Sequence, residues 1–267
     1  MSKVVLITGA SSGIGLSIAN YLQEKGMTVY GTSRTERKAN DFKFKMLPLE
    51  VSDTDSINNA IQKILDEQGR IDILINNAGK GVTGPIEETP TEEMRKVFDI
   101  NFFGVIDLMK AVLPIMRKQQ SGMIINITSI AGYMGLPFRG IYSATKGATE
   151  LATEAVSMEA KKFGVKVVNI APGDFATNIA SGRYHSPVIE GSAYEKAYRK
   201  NLDVMDEHVD HGRDPKILAK KVFQIINTKK PKGHYTVGSF MERISIFLKL
   251  ILPDRMYERM LMNYYDL

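Results

Sequence analysis

Short runs of apolar residues alternate along the chain with longer segments in which apolar and polar residues recur at helical spacing. The first apolar run is Val4–Ile7, and comparable runs lie within residues 26–34, 45–53, 71–75, 122–128, 165–171 and 233–238. Runs of this length between turn residues are typical of strands buried on both faces. Strands that alternate with helices predict an α/β fold with one doubly wound parallel sheet and helices on both faces.

The segments between the strands predict five helices. Asp53 or Ser52 is placed to cap one of them, and Thr89-Pro90-Thr91-Glu92 matches a capping box with proline at the first helical position. The helices are expected at residues 16–25, 54–68, 91–118, 142–163 and 215–227.

Residues 178–212 are polar and aromatic and show no regular pattern, so we expect an irregular segment there. Long insertions at a ligand-binding edge are commonly lids, which predicts that this segment covers the substrate. Neither a repeat nor a linker divides the chain, and residues 1–267 are expected to form a single domain.

The last residues, 240–267, are predicted to form a C-terminal helical extension, called the tail below. Its apolar residues recur at helical spacing on both sides of Pro253, and residues 229–267 carry seven basic and four acidic side chains, a net charge of +3. One interpretation is that the tail closes over the substrate pocket or packs on another subunit. The other is a basic amphipathic segment that makes peripheral contact with a membrane.

Composition excludes several classes of site. The 267 residues contain no cysteine, which excludes disulfides and thiolate chemistry and is compatible with a reducing, cytoplasmic location. His208 and His211 are interpreted as part of a polar loop rather than a metal site. The net charge of +5 is spread along the chain, which favours a solvated surface and an anionic cofactor over nucleic acid. We expect no signal peptide and no membrane span.

A glycine-rich turn follows the first strand. It reads Thr8-Gly9-Ala10-Ser11-Ser12-Gly13-Ile14-Gly15 and leads into a helix. Glycine allows positive φ and close approach of the backbone, and a helix start offers free N–H groups to a pyrophosphate. We predict dinucleotide binding here, although the glycine spacing differs from G-x-G-x-x-G; the alternative is an ordinary tight strand-to-helix connection.

The end of the second strand bears on the choice between NAD and NADP. An acidic residue there would bind a ribose 2′-hydroxyl, whereas an arginine accommodates a 2′-phosphate. This chain has Ser33-Arg34 and no carboxylate before Glu36, which favours NADP(H). Glu50, near the end of the third strand, is a candidate to face the adenine.

Tyr142 and Lys146 are four residues apart at the start of a predicted helix and therefore share one face. A cation beside a phenol favours the phenolate, an arrangement suited to general acid–base chemistry. Ser129, just beyond the fifth strand, is placed to bind the same substrate oxygen. Asn101 has apolar neighbours within the long helix, where a partly buried amide needs hydrogen-bond partners.

Together these motifs resemble the short-chain dehydrogenase/reductase family over essentially the whole chain. Its Thr-Gly-x-x-x-Gly-x-Gly corresponds to residues 8–15, its Asn-Asn-Ala-Gly to 76–79, its Ser and Tyr-x-x-x-Lys to Ser129 and 142–146, and its Pro-Gly to 172–173. The resemblance implies a Rossmann-like fold. Glu50 stands where the family often has aspartate, and Asp174-Phe175-Ala176 where many relatives carry apolar residues.

The resemblance also implies roles for individual residues. Tyr142 would exchange a proton with the substrate oxygen, Lys146 would hold the nicotinamide ribose, Ser129 would orient the substrate, Asn101 would anchor a proton-relay water, and Thr177 would touch the carboxamide. The implied cofactor-binding residues are Gly9, Ser11, Ser12, Gly13, Ile14, Gly15, Ser33, Arg34, Glu50, Val51, Asn77, Ala78, Gly79, Tyr142, Lys146, Pro172, Gly173 and Thr177.

These expectations describe an NADP(H)-dependent oxidoreductase acting on a carbonyl or secondary alcohol. The apolar tail resembles those of hydroxysteroid and retinol dehydrogenase-like members, which implies a bulky apolar substrate. A 3-oxoacyl-thioester reductase is an alternative. A non-catalytic NADP-sensing regulator is another, which the implied catalytic tetrad of Asn101, Ser129, Tyr142 and Lys146 disfavours. The resemblance further implies a homodimer or homotetramer formed through the helices that begin near Thr91 and Tyr142.

Overall fold

The computed structural model describes residues 2–38, 41–175, 182–210, 212–265 and 267, except the side chains of Val204 and of residues 206–210. Its strands are β1 (Val4–Ile7), β2 (Thr28–Ser33), β3 (Lys45–Pro48), β4 (Ile73–Asn76), β5 (Val82–Thr83), β6 (Gly122–Ile127), β7 (Val165–Pro172), β8 (Tyr184–His185) and β9 (His234–Val237). Its helices are α1 (Gly13–Glu24), α2 (Thr54–Gln68), α3 (Thr91–Phe98), α4 (Gly104–Gln119), α5 (Gly140–Ala160), α6 (Glu195–Asp210), α7 (Pro215–Ile226), α8 (Phe240–Ile251) and α9 (Asp254–Tyr265).

Seven of these strands form one parallel sheet in the order β3-β2-β1-β4-β6-β7-β9. The direction of winding reverses at β1, which pairs with β2 on one side and β4 on the other. Ligands of such sheets bind in the crevice outside the carboxyl ends of the strands at this reversal. The predicted doubly wound, Rossmann-like fold is confirmed.

Helices cover both faces of the sheet, as predicted. Successive residues of β1 point to opposite faces, so Val5 and Ile7 enter one core and Val4 and Leu6 the other. The first core is completed by α1 and α7, and the second by α2 and α4. Asp53 caps α2 by accepting hydrogen bonds from two backbone N–H groups of its first turn, and α2 has the predicted bounds.

The helix expected over residues 91–118 is interrupted. Between α3 and α4 lies a π-helix, Asp99–Phe103, that contains the fully buried Asn101. The predicted capping box is wrong, because Pro90 is the N-cap of α3 rather than its first helical residue and no side chain caps the helix. The hydroxyl of Thr89 donates instead to the carbonyl oxygen of Pro85 at 2.7 Å.

The expectation of an irregular segment at 178–212 is also wrong for its described part. Strand β8 pairs in parallel with β5, which the pattern did not predict, and α6 follows. The phenol oxygen of the fully buried Tyr198 lies 3.1 Å from the carbonyl oxygen of Thr83. The backbone of His208 belongs to α6 rather than to a loop, whereas its side chain and all of His211 lie outside the described residues. Within the described part there is no cluster of candidate metal ligands.

The tail forms the two predicted helices. A capping box begins α8, in which Ser239 and Glu242 each bind the other's backbone N–H, and α9 follows after Pro253. Among the described residues, no helix is both long and apolar enough to cross a membrane.

Candidate active site

The glycine-rich turn between β1 and α1 is folded tightly against the segment after β4. Gly9 and Gly13 have φ of +65° and +54°, and a Cβ on Gly9 would lie 3.0 Å from Cα of Ala78. A Cβ on Gly15 would collide with the carbonyl oxygen of Gly9. The side chain of Ser12, the N-cap of α1, makes no capping bond. A glycine-lined helix start of this kind fits a pyrophosphate.

Thr8 and Asn77 join this turn to the next loop. The hydroxyl of Thr8 accepts hydrogen bonds from the backbone N–H groups of Asn77 and Ala78, both at 3.0 Å. In return, Nδ2 of Asn77 donates to the carbonyl oxygens of Thr8 and Gly9 at 2.9 and 3.1 Å. Asn77 therefore braces the turn. Thr8 was part of the recognised motif, but its bracing role needs the contact across 69 residues to be seen.

The first turns of α5 bring Tyr142 and Lys146 together, as their spacing predicts. Nζ of Lys146 lies 5.8 Å from the centroid of the Tyr142 ring and donates to the carbonyl oxygen of Ile127 at 3.2 Å. Lys146 is 6% exposed. A second cation, Arg139, lies with Cζ 5.8 Å from the same ring centroid. Arg139 was not predicted, because it lies just before the helix and outside the motif.

Asn101 and Lys146 both lie next to Gly79. Its Oδ1 accepts from the backbone N–H of Lys80 at 2.8 Å, and its Nδ2 donates to the carbonyl oxygen of Lys80 at 2.9 Å and to the Thr145 hydroxyl at 3.1 Å. A Cβ on Gly79 would lie 3.2 Å from Oδ1 of Asn101 and 3.6 Å from Nζ of Lys146. The three residues thus border one small space at the carboxyl edge of the sheet.

Ser129 caps a short 3₁₀-helix, Ile130–Tyr133, that packs on α5. Its hydroxyl accepts from the backbone N–H of Ala131 at 3.2 Å. A Cβ on Gly132 would lie 3.0 Å from the carbonyl carbon of Lys146. The absence of a side chain at Gly132 therefore lets the segment carrying Ser129 approach the helix turn that carries Lys146.

The polar residues at and just after the ends of β2 and β3 differ in their hydrogen bonds and ion pairs. The hydroxyl of Ser33 donates to the carbonyl oxygen of Thr35 at 2.6 Å, whereas Arg34 is exposed and forms no ion pair within the described part of the chain. The Glu50 carboxylate accepts from the hydroxyl of Ser52 at 3.0 Å, and the neighbouring Val51 is buried. Arg34 is thus an exposed cation next to the end of β2.

The loop after β7 is hydrogen-bonded both to β9 and to the tail. The backbone N–H of Gly173, which follows Pro172, donates to the carbonyl oxygen of Val237 at 2.9 Å. The N–H of Asp174 donates to a carboxylate oxygen of Glu242 at 2.6 Å. Glu242 lies 68 residues further along, and no sequence pattern pointed to it. Thr177 lies outside the described residues.

The tail also contacts the loop that precedes Tyr142. The hydroxyl of Tyr257, a buried residue of α9, donates to Sδ of Met134 at 2.8 Å. Tyr265 interacts with Arg139: burial raises the pKa of Tyr265, and the Arg139 charge and hydrogen bond oppose that rise. The inner side of the tail therefore contacts two residues of this loop, one of which, Arg139, lies beside the Tyr142 ring.

The sequence of this chain is similar to those of known proteins. The family described as short chain dehydrogenase matches residues 3–187. A 3-ketodihydrosphingosine reductase of Bacteroides thetaiotaomicron is 39% identical over 264 residues, 98% of both chains. An NADPH-dependent 3-dehydrocapnine reductase of Ornithobacterium rhinotracheale is 30% identical over 272 residues, 96% of this chain and 95% of the other.

Solved structures show the same architecture. A short-chain dehydrogenase from Streptomyces avermitilis has a TM-score of 0.84 at 31% identity and covers 100% of this chain and 96% of its own. ElxO, solved with NADP bound, has a TM-score of 0.74 at 27% identity, covering 89% of this chain and 98% of its own. The matched family and these relatives establish that the chain is an oxidoreductase of the short-chain dehydrogenase family.

Proposed function

We propose that this chain is an NADP(H)-dependent reductase that converts a ketone on a bulky apolar substrate into a secondary alcohol. The observation that carries the proposal is the position of Lys146, which lies beside both the Tyr142 ring and Asn101 at the carboxyl edge of the sheet. A regulator that only sensed the cofactor would have no need of a phenol with two cations beside its ring.

The residues present fit a dinucleotide. Glycines at positions 9 and 15 leave room that a Cβ would fill, and the start of α1 offers backbone N–H groups. The chemistry that bound NADPH supplies is the hydride delivered to the carbonyl carbon. Tyr142 donates its phenolic proton to the carbonyl oxygen, which completes the alcohol. Lys146 and Arg139 stabilise the negative charge left on the phenol oxygen.

The remaining members of the proposed tetrad orient the reacting groups. The hydroxyl of Ser129 holds the carbonyl oxygen near Tyr142, and Asn101 is assigned the anchoring of a proton-relay water beside Lys146. The orientation of Asn101 is fixed by its two hydrogen bonds to the backbone of Lys80. Such positioning accounts for a substantial part of the barrier reduction in enzymes of this type.

The decisive experiment compares wild type with Tyr142→Phe. Removal of a general acid typically lowers the rate about 10²- to 10⁴-fold. We expect a loss of kcat of this size while NADPH still binds, as measured by quenching and energy transfer of its fluorescence. If both proteins bind NADPH and both oxidise it only at background rate across a broad ketone panel, the chain is a sensor and the enzyme assignment fails.

The preference for NADP(H) is assigned to Arg34, with Ser33, because Arg34 is exposed, carries no partner among the described residues and follows β2. The NADP-bound structure of ElxO and the NADPH dependence named for one relative support this assignment. A charged hydrogen bond to a phosphate contributes about 1.5–3 kcal/mol, so Arg34→Ala should raise the KM for NADPH about 10- to 100-fold. The KM for NADH serves as the matched control and should hardly change; equal changes would refute the contact.

Two observations support the proposed substrate class. One relative is named for a 3-ketone of dihydrosphingosine, a long-chain amino alcohol, and the tail places apolar helices against the loop before Tyr142. With NADPH, we expect kcat/KM to be highest for a long-chain 3-ketone of this type. A higher value for a 3-oxoacyl thioester would instead establish the alternative activity, and turnover of polar sugars alone would reject an apolar substrate.

We further propose that the single domain of residues 1–267 assembles as a homodimer or homotetramer, and that the segment at 178–212 acts as a substrate lid. Exposed Leu151 and Met158 on α5 support an interface there. Leu151→Asp should reduce the mass measured by light scattering to that of a monomer; an unchanged mass places the interface elsewhere. A cytoplasmic location remains a prediction.

The outer side of the tail is proposed to contact membrane lipid. Phe247, Leu250 and Ile251 of α8 are exposed, Leu250 to 79%. Arg243 accompanies them on the same helix, while its neighbour Glu242 is occupied by the Asp174 loop. Anionic vesicles should therefore bind wild type and not Leu250→Glu in a flotation assay. Equal flotation of both proteins, or of neither, would contradict this contact.

A further inference from the structure

A buried carboxylate lies one helical turn beyond Lys146. Glu150 of α5 is 5% exposed and receives three donors. The hydroxyl of Thr128 donates to Oε1, while the phenol of Tyr133 and Nδ1 of His234 lie 3.3 and 2.8 Å from Oε2. Nothing in the proposed proton transfer uses this group, and a buried charge is costly unless it is paired and fully hydrogen-bonded.

His234 supplies the pairing. Its other ring nitrogen, Nε2, lies 3.1 Å from a carboxylate oxygen of Glu154, on the surface side of α5. Carboxylate oxygens therefore lie near both ring nitrogens of His234. The groups that face Glu150 are thus Thr128, Tyr133 and His234, with Glu154 beyond.

Two of these donors belong to the segment that carries Ser129. We define residues 128–133 as the Ser129 turn; Thr128 is its first residue and Tyr133 its last. Burial, reinforced by the Glu150 charge, raises the pKa of Tyr133, so the phenol keeps the proton that it donates. Glu150 therefore holds both ends of the Ser129 turn to the helix that carries Tyr142 and Lys146.

We propose that Glu150, paired with His234, is a positioning residue that fixes the Ser129 hydroxyl relative to Tyr142 and Lys146. This inference rests on the proposed function, since it acts through the substrate-orienting role assigned to Ser129. An amide at position 150 would keep only one acceptor oxygen for three donors, so at least one end of the turn would face an N–H donor. The Ser129 hydroxyl would then lose its fixed position.

The test is a double-mutant cycle with Ser129. Glu150→Gln should lower kcat about 10-fold or more in the wild-type background, with the affinity for NADPH unchanged. In a Ser129→Ala background the same change should lower kcat less than about 2-fold, because the hydroxyl it positions is already absent. Equal losses in both backgrounds, or no loss in wild type, would overturn the proposal.

Two further variants guard the interpretation. Glu154→Gln, which changes a carboxylate that contacts His234 but not the Ser129 turn, should lower kcat less than about 2-fold. Tyr133→Phe removes one hydrogen bond and no charge, so it serves if Glu150→Gln does not fold. Tyr133→Phe should lower kcat about 3-fold in the wild-type background and should leave kcat unchanged in the Ser129→Ala background. A loss for Tyr133→Phe that is the same without Ser129 would overturn the proposal.

Hydrogen exchange separates failure of this inference from failure of the proposed function. If wild type reduces no ketone, the proposed function fails. The contact between Glu150 and the Ser129 turn is then tested by amide hydrogen exchange alone. Glu150→Gln should speed amide exchange in residues 128–133, where the N–H of Gly132 donates to the carbonyl oxygen of Ser129 at 2.9 Å, and Glu154→Gln should not. Unchanged protection of this turn in Glu150→Gln would overturn the proposal whether or not the enzyme assignment stands.

Discussion

Two glycines three residues apart provide a sharp test of how the Ser129 turn is held. A Cβ on Gly132 would lie 3.0 Å from the carbonyl carbon of Lys146, 3.1 Å from the backbone nitrogen of Gly147 and 3.2 Å from Cβ of Lys146. A Cβ on Gly135 would meet nothing within 4 Å. Neither glycine has a positive φ, so alanine is compatible with the backbone at both positions.

Gly132→Ala and Gly135→Ala should change the free energy of unfolding in opposite directions. Replacing glycine with alanine restricts the unfolded chain and stabilises a protein by about 0.4–1 kcal/mol where no strain results. At Gly132 the added methyl group presses on backbone atoms of α5, which cannot rotate away, and overpacking of this kind costs about 1–3 kcal/mol. Gly132→Ala should thus be destabilised by roughly 0.5–2 kcal/mol, whereas Gly135→Ala should gain stability.

Thermal melts and steady-state kinetics measure both consequences. At about 2–4 °C per kcal/mol, the melting temperature should fall by roughly 1–8 °C for Gly132→Ala and rise by roughly 1–4 °C for Gly135→Ala. Displacement of the Ser129 turn by a few tenths of an ångström should lower kcat for Gly132→Ala about 3- to 10-fold. Equal stability and equal kcat in the two variants would refute close packing of this turn on α5.

Two further predictions concern contacts of residues 77–80, which follow β4. Thr8→Val would leave the N–H groups of Asn77 and Ala78 without their acceptor and should lower the free energy of unfolding by about 2–3 kcal/mol in urea titrations; Thr8→Ser, which keeps the hydroxyl, should lose less than about 1 kcal/mol. The hydrogen bond from Lys96 and the charge of Lys80 hold the pKa of Glu93 below its usual value of 4.5, against the opposing effect of burial. A lowered pKa stabilises the fold above pH 4.5, and this contribution is lost as the pH falls through the lowered value. Glu93→Gln should therefore be less stable than wild type at pH 7, by at most about 1 kcal/mol, and equally stable near pH 3; a difference that persists at low pH would contradict the pairing.

Elements with strong local signals were predicted correctly. Apolar runs such as Val4–Ile7 have no stable exposed position, so they become buried strands whatever surrounds them. The bounds of α2 were predicted to the residue because Asp53 caps it from within the same segment. By contrast, α6 carries many charges and is held by Tyr198, whose hydroxyl contacts β5 some 115 residues away, so its sequence carried no sufficient signal.

The Tyr142 and Lys146 pair illustrates which features of the site could be predicted from the sequence. Their spacing alone determined that they share a helix face, because helix geometry is a local property of the chain. Parallel strands likewise bring their carboxyl ends to one edge, which made the general location of the site predictable. The start of α2 at its Asp53 cap and the turn between β1 and α1 were likewise predicted from neighbouring residues alone.

The contacts between distant segments could not be predicted from the sequence. Arg139 reaches the Tyr142 ring, Glu242 reaches the loop after β7, and His234 reaches Glu150 across 84 residues. Side chains so far apart in sequence come into contact only when the strands have taken their order in the sheet. A single glutamate in a sequence is compatible with many structural environments, so its partner cannot be predicted. The chemistry of the site was therefore encoded locally, whereas its bracing and its cover depend on the packing of the whole chain.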